Sequence, residues 1–310
     1  MKTIGNINFA EIYPNLLNYI PDFQQLLNII SASATTIDFI FWYKKFIDKK
    51  KEKLDHIENL FSFLENADFN TGVVPLDDRH SLQLFKRWFN RYFKNEREFL
   101  YYRDIGVPDI NKDLCSIGGP VDHILTRHGM FYDKFRKKWE PILPYIFPLE
   151  EAIQRRESGE EEYTVKRIWK GKEWKTTNWY IADRYGERPI FKPEKDENGY
   201  LKTDYLMLIF APNFLTDKAY KNGKTHLMIA PTHGLAQLAI EDALENKNVL
   251  EKLSREKEKS IYFQAVIKIP GKWKRNGYVP TGRFPTVVTK EIDINDFSKS
   301  PHFKEWLKHN

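Results

Sequence analysis

Cysteine is nearly absent from this 310-residue chain, with Cys115 its single representative. One thiol can build neither an internal disulfide framework nor a cysteine-based zinc site, which points to a reducing, cytoplasmic setting. Its place inside the apolar run Leu114–Ile117 marks it as a small buried hydrophobe. The three spaced glycines of a dinucleotide fingerprint, the Gly-Lys-Ser/Thr end of a P-loop and a nucleophile-elbow serine are all missing. His123 and His128 are five apart, not the four that stacks two rings on one helix face, so no metal site is expected. These motifs specify no cofactor. Internal repeats and low-complexity linkers are lacking too, as is the basic, apolar and small-residue succession of a secretory leader.

What is present reads as a globular protein with 41% hydrophobic and 30% charged residues. Lys and Arg number 49 against 43 Asp and Glu, leaving a net charge of +6. That mild excess suits anionic ligands without making nucleic acid the principal partner. Leu26 to Tyr43 is mostly apolar and precedes Lys44, Lys45 and Lys49–Lys51, the sign pattern of a membrane helix end. Polar residues interrupt it, and Asp38 would be costly inside a bilayer, so a buried or interfacial helix is expected and no membrane contact. Residues 1–66 read as a helical arm, either packed on the main domain or used to dock a second copy or another protein.

Residues 67–310 follow the grammar of an α/β domain. Ala67–Thr71 reads as a loop and Gly72–Asp78 as a short strand. From Asp78 the spacing of Leu82, Phe85, Phe89 and Phe93 predicts an amphipathic helix. Strands are expected at Glu98–Tyr102 and Asp113–Ile117, and strand, helix and strand in so few residues imply a parallel sheet. A helix is then expected over Thr126–Trp139. Between about 150 and 203 the pattern changes to an antiparallel insertion or a flap over the sheet's rim. Within it, two β segments over 163–181 flank Lys170-Gly171-Lys172. Lys166, Arg167, Trp169, Trp174 and Lys175 mix bases with aromatics there, a surface able to hold single-stranded nucleic acid or, alternatively, to face the core. The sheet resumes at Asp204–Phe210 and Thr225–Ala230, continues through strands at Ser260–Ile269 and Thr286–Ile292, and a helix is expected over Leu235–Asn246. The class expected is Rossmann-like: a mainly parallel sheet with an antiparallel β-hairpin insertion and an amino-terminal helical arm.

Two strand-to-helix turns carry the functional expectation. Gly118-Gly119-Pro120 lets another molecule come close to the main chain, with His123 and Arg127 just beyond. Thr232-His233-Gly234 offers a hydroxyl, a titratable ring and a helix amino end, which favours anions. If both strands run parallel in one sheet, both turns open on one rim, where ligands of such sheets bind. Asp77 and Asp78 belong to the same rim, as helix caps or as acid/base partners of His233 in a hydrolytic reading.

Ile117-Gly-Gly-Pro120, the upstream Val74-Pro-Leu-Asp77, Pro212-Asn-Phe214 and Thr232-His-Gly234 together resemble a poorly characterised Rossmann-like module of prokaryotic regulatory and conflict-type proteins, over about residues 70 to 292. The resemblance implies a nucleotide or nucleotide-derived ligand and a sensor or effector role, in a setting such as antiviral defence. The chain departs from the pattern after the first turn, where Asp122, His123 and Thr126 replace an expected Asn and Thr.

Overall fold

The computed structural model describes residues 36–71, 76–93, 100–101, 109–121, 123–130, 143–169, 172–184, 188–274 and 277–295. The chain divides into two compact units, Met1–Glu52 and Lys53–Asn310. The division falls within helix α1 (Thr36–Phe61), so Ile57, Leu60, Phe61 and Leu64 belong to the core of the larger unit. Residues 1–35 of the expected arm lie outside the described residues.

The larger unit is an α/β fold around an eight-stranded sheet. One half is Rossmann-like: β2 (Leu100–Tyr101), β1 (Asp68–Thr71), β3 (Leu114–Ile117) and β10 (Thr225–Pro231) lie side by side and all parallel. The other half adds β9 (Thr203–Pro212), β11 (Phe263–Lys274), β12 (Gly277–Pro280) and β13 (Val287–Glu291) by antiparallel pairing. Every residue of β3 and β9 is buried, as expected of a sheet covered on both faces.

The chain leaves β1 through helix α2 (Leu76–Tyr92) to β2 on one side, then returns to β3 on the other. Phe85, Trp88 and Phe89 of α2 bury one sheet face, with the Phe89 ring 4.9 Å from Phe69 of β1. Helix α3 (Ile124–Gly129) lies on the opposite face, where Gly129 meets Met228 and His226. Helices on opposite faces, with strand order reversing between β1 and β3, define a topological switch point.

Two expectations are corrected next to that point. Asp68–Thr71, read as a loop, is the central strand β1, and Leu76–Asp78, read as the end of a strand, already belongs to α2. Asp68, Asn70 and Thr71 are tolerated in a strand because β2 and β3 pair with both edges, while Phe69 supplies the buried side chain. Residues 72–75 lie outside the described residues, as do those of the expected 126–139 helix beyond Met130.

The insertion is antiparallel, as read. After α4 (Leu149–Glu157) it contains the hairpin β5 (Thr164–Trp169) and β6 (Lys172–Thr177), a two-stranded sheet of its own. β4 (Tyr145–Ile146), β7 (Ile181–Asp183) and β8 (Pro189–Phe191) make a three-stranded sheet. α5 (Asp217–Lys221) joins β9 to β10.

The expected 235–246 helix is two short ones, α6 (Gly234–Leu238) and α7 (Ile240–Glu245), and a third, α8 (Lys247–Lys259), follows. Asn246 breaks the helix and caps α8, its side chain accepting from the Asn248 and Val249 amides. Only Val249, Leu250 and Leu253 supply apolar anchors in α8, which hides it among lysines and glutamates in the sequence. Among the described residues no helix is long and apolar enough to cross a membrane. Residues 26–35 of the apolar stretch lie outside them.

Candidate functional site

The parallel pairing of β3 with β10 brings the two turns together. The register His226↔Leu114 through Ile229↔Ile117 pairs the end of β3 with β10 two residues before β10 itself ends at Pro231. The ladder continues one step into the first turn, where the Gly118 amide donates to the Ile229 carbonyl at 2.9 Å. Gly118 has φ +140°, a conformation that a side chain would strain. A Cβ on Gly119 would lie 3.0 Å from the Pro231 carbonyl oxygen, so the absent side chain is what lets the turns touch. The Gly119 amide has no acceptor among the described residues.

The rest of the first turn is held by its own side chains. His123 is fully buried and caps α3, its Nδ1 accepting from the Thr126 amide at 2.9 Å. Arg127, expected to reach an anion, instead donates from Nε to the Pro120 carbonyl at 2.8 Å and from a terminal nitrogen to the Val121 carbonyl. Its guanidinium fixes the loop's shape, and Pro120 is buried beneath it.

The second turn centres on a residue that reading the sequence missed. Asp204 is fully buried at the start of β9, and the antiparallel β9–β10 pairing brings it beside Thr232. Its Oδ1 accepts from the Thr232 hydroxyl, the Tyr205 amide at 2.9 Å and His233 Nδ1 at 3.1 Å. Its Oδ2 accepts from the Ala236 amide of α6 at 2.7 Å. The position at the α6 amino end offered to an external anion therefore holds the chain's own carboxylate. The signal was an Asp opening a fully apolar strand, legible only once the strand after it is known to fold back against Thr232.

His233 is bound at both ring nitrogens. Nδ1 donates to Asp204, and Nε2 accepts from the Trp179 backbone amide at 3.0 Å. This pattern fixes the neutral Nδ1–H tautomer and ties the insertion to the rim. A general base needs a free lone pair within reach of its proton, and this ring's lone pair is taken. Asp77 and Asp78 fall in the first turn of α2, the helix that follows β1. Gly234 opens α6, and a Cβ there would meet only the Gln237 side chain at 3.8 Å.

Beneath α3 lies a second buried ring. His226 Nε2 is 2.7 Å from the Ser116 hydroxyl, and its Nδ1 has no partner among the described residues. Burial, assisted by nearby His123, pushes its pKa down to about 3. Cys115, equally buried, has its pKa raised by desolvation and is an inert thiol. Among the described residues no group of His, Cys, Asp and Glu is arranged to hold a metal ion.

Pro212-Asn213-Phe214 does not share the rim. Asn213 stands at the carboxyl end of antiparallel β9, where its side chain donates to the Ile110 and Lys112 carbonyls before β3. That is the amino end of the parallel strands.

Fold and rim together define a Rossmann-like α/β protein with a glycine corner at its switch point. No family model, curated protein or solved structure matches the chain.

Proposed function

We propose that the chain binds a nucleotide or nucleotide-derived molecule at the crevice outside the carboxyl ends of β1, β3 and β10, as a sensor or effector domain. One observation carries this reading: the Gly118–Gly119 corner stands at the switch point, with the Gly119 amide unclaimed by acceptors among the described residues and no Cβ of its own beside it. Ligands of open α/β sheets settle at such points, and glycine amides suit phosphate. Thr232 and His123 shape the corner through the bonds they already make, so neither is a free ligand group. The engagement of both His233 nitrogens favours binding over hydrolysis. A role in antiviral defence rests on the sequence resemblance alone.

The test is thermal shift with a panel of nucleotides and cyclic or linear oligonucleotide signals. A ligand that binds only the folded state raises the melting temperature, by about 2.7 kcal/mol of stability at a hundredfold excess over Kd. Gly119→Val, which crowds the Pro231 carbonyl, is expected to abolish the shift. A panel without any shift, or one that Gly119→Val leaves intact, defeats the reading.

A second reading concerns the β5–β6 hairpin, whose sheet is separate and whose Trp174 is 52% exposed opposite Arg167. An exposed aromatic among bases suits a stacked single strand.

A further inference from the structure

A concavity lies at the far edge of the sheet and arises from a mismatch in strand pairing. β11 pairs along one edge first with β13, as far as Ile267↔Val287, and then with β12, from Gly271↔Pro280. Between those points the six residues Thr281–Thr286 stand opposite the three residues Lys268–Pro270. The surplus bulges outward, with Gly282 at φ +70° turning the chain and Phe284 buried as its anchor. Bulges of this kind re-aim side chains near the ends of a pairing. This one carries Arg283 out to solvent beside Lys272 of β11.

Between the bulge and the start of α8 is an open groove of about 750 Å³. Among the described residues the only ionisable side chains lining it are Lys272 and Arg283, and neither has an acidic partner there. Of the cations nearby, Lys268 pairs with Glu194 at 2.6 Å and Lys247 with Glu251 at 3.5 Å, while Lys252 donates to the Val287 carbonyl at 3.2 Å. The α8 amino end does not provide the site, because Asn246 already caps its amides. Pro270, Phe284 and Pro285 form a rigid apolar wall, while Thr281 adds a hydroxyl. Apolar walls with a few convergent polar groups, at this size, are the usual make-up of small-molecule sites.

We propose that this groove binds a phosphate-bearing small molecule, with Lys272 and Arg283 taking the phosphate and the apolar wall taking its organic body. An arginine fork and a lysine point charge are complementary ways of holding phosphate. This site is distinct from the glycine corner and does not depend on it.

Calorimetry with inorganic tripolyphosphate and with ATP tests the proposal on the full chain. A Lys272→Gln/Arg283→Gln double variant is expected to melt at the wild-type temperature, since both side chains are exposed, and to bind tripolyphosphate at least tenfold more weakly. Gly119→Val is expected to retain that binding. In the Gly119→Val background ATP is expected to bind more tightly than tripolyphosphate, and equal affinity would remove the apolar wall from the proposal. Wild-type affinity in the double variant, absence of binding of either probe, or a loss confined to Gly119→Val overturns the proposal. The last result would place the anion at the glycine corner and leave the first reading standing.

Discussion

His233 Nδ1 stands 3.1 Å from Asp204 Oδ1, and the ring's other nitrogen accepts from the Trp179 amide. An aspartate orienting a histidine is a familiar catalytic arrangement, but here the nitrogen that would face a substrate is committed to the backbone. The pair acts as a brace between the sheet and its insertion.

Asp204→Ala is therefore expected to destabilise the protein, not merely to impair a reaction. It leaves the His233 ring N–H and the Ala236 amide without their acceptor, whereas the Thr232 hydroxyl and the Tyr205 amide keep second partners, for a loss of about 3 kcal/mol. Urea unfolding of the variant should show a lowered midpoint with an unchanged slope.

Replacing His233 by Ala frees the Trp179 amide and cuts the link to the insertion. Hydrogen exchange at Trp179 and its neighbours should accelerate while β10 remains protected. A wild-type exchange rate at Trp179 would show that the bond does not brace the insertion.

His226 gives the protein an acid-sensitive core. Its folded pKa of about 3 lies below the ordinary value of 6.5. Above pH 6.5 neither state carries the proton and the ring leaves stability unchanged. Below it the unfolded chain takes up a proton that the folded chain refuses, so stability falls as pH drops from 6.5 towards 3. At about 1.4 kcal/mol per unit, acidification to pH 5 should cost about 2 kcal/mol. Unfolding at pH 7 and pH 5 measures this, and His226→Asn, which does not titrate, should lose that part of the pH dependence.

Trp174→Ala tests the hairpin. With half its surface in solvent, the side chain contributes little to stability, and the melting temperature should stay within about 0.5 kcal/mol of wild type in equivalent stability. If the hairpin binds single strands, affinity for an oligonucleotide should fall with salt in the wild type and drop by about 1–3 kcal/mol in the variant. Unchanged oligonucleotide binding would rule out this surface.

Much of this architecture was legible in the sequence because it rests on strong local patterns. Phe85, Phe89 and Phe93 announced α2, and the runs ending at Ile117 and Ala230 announced β3 and β10, whose parallel pairing brings the two turns to one corner. β1 escaped because Asp68-Phe-Asn-Thr71 has one apolar residue, and its strand character comes from neighbours on both edges. Helix α8 escaped for the opposite reason, its charge masking three buried anchors. Asp204 and the occupied nitrogens of His233 were out of reach because each depends on contacts between distant segments. Arg127 was visible as a cation near the turn, but its commitment to the Pro120 and Val121 carbonyls depends on how the loop folds back over the helix.

The parallel seam between β3 and β10 joins segments far apart in the chain, with Ser116 and His226 separated by 110 residues. During synthesis β3 emerges long before the strand that will cover its open edge, whereas β10 meets β9 at once through a short local connection. Closing so long a span is the slow, entropically expensive event in building such a sheet. The glycine corner can form only after it, so a chain stopped before residue 225 would present an uncovered strand edge and no crevice.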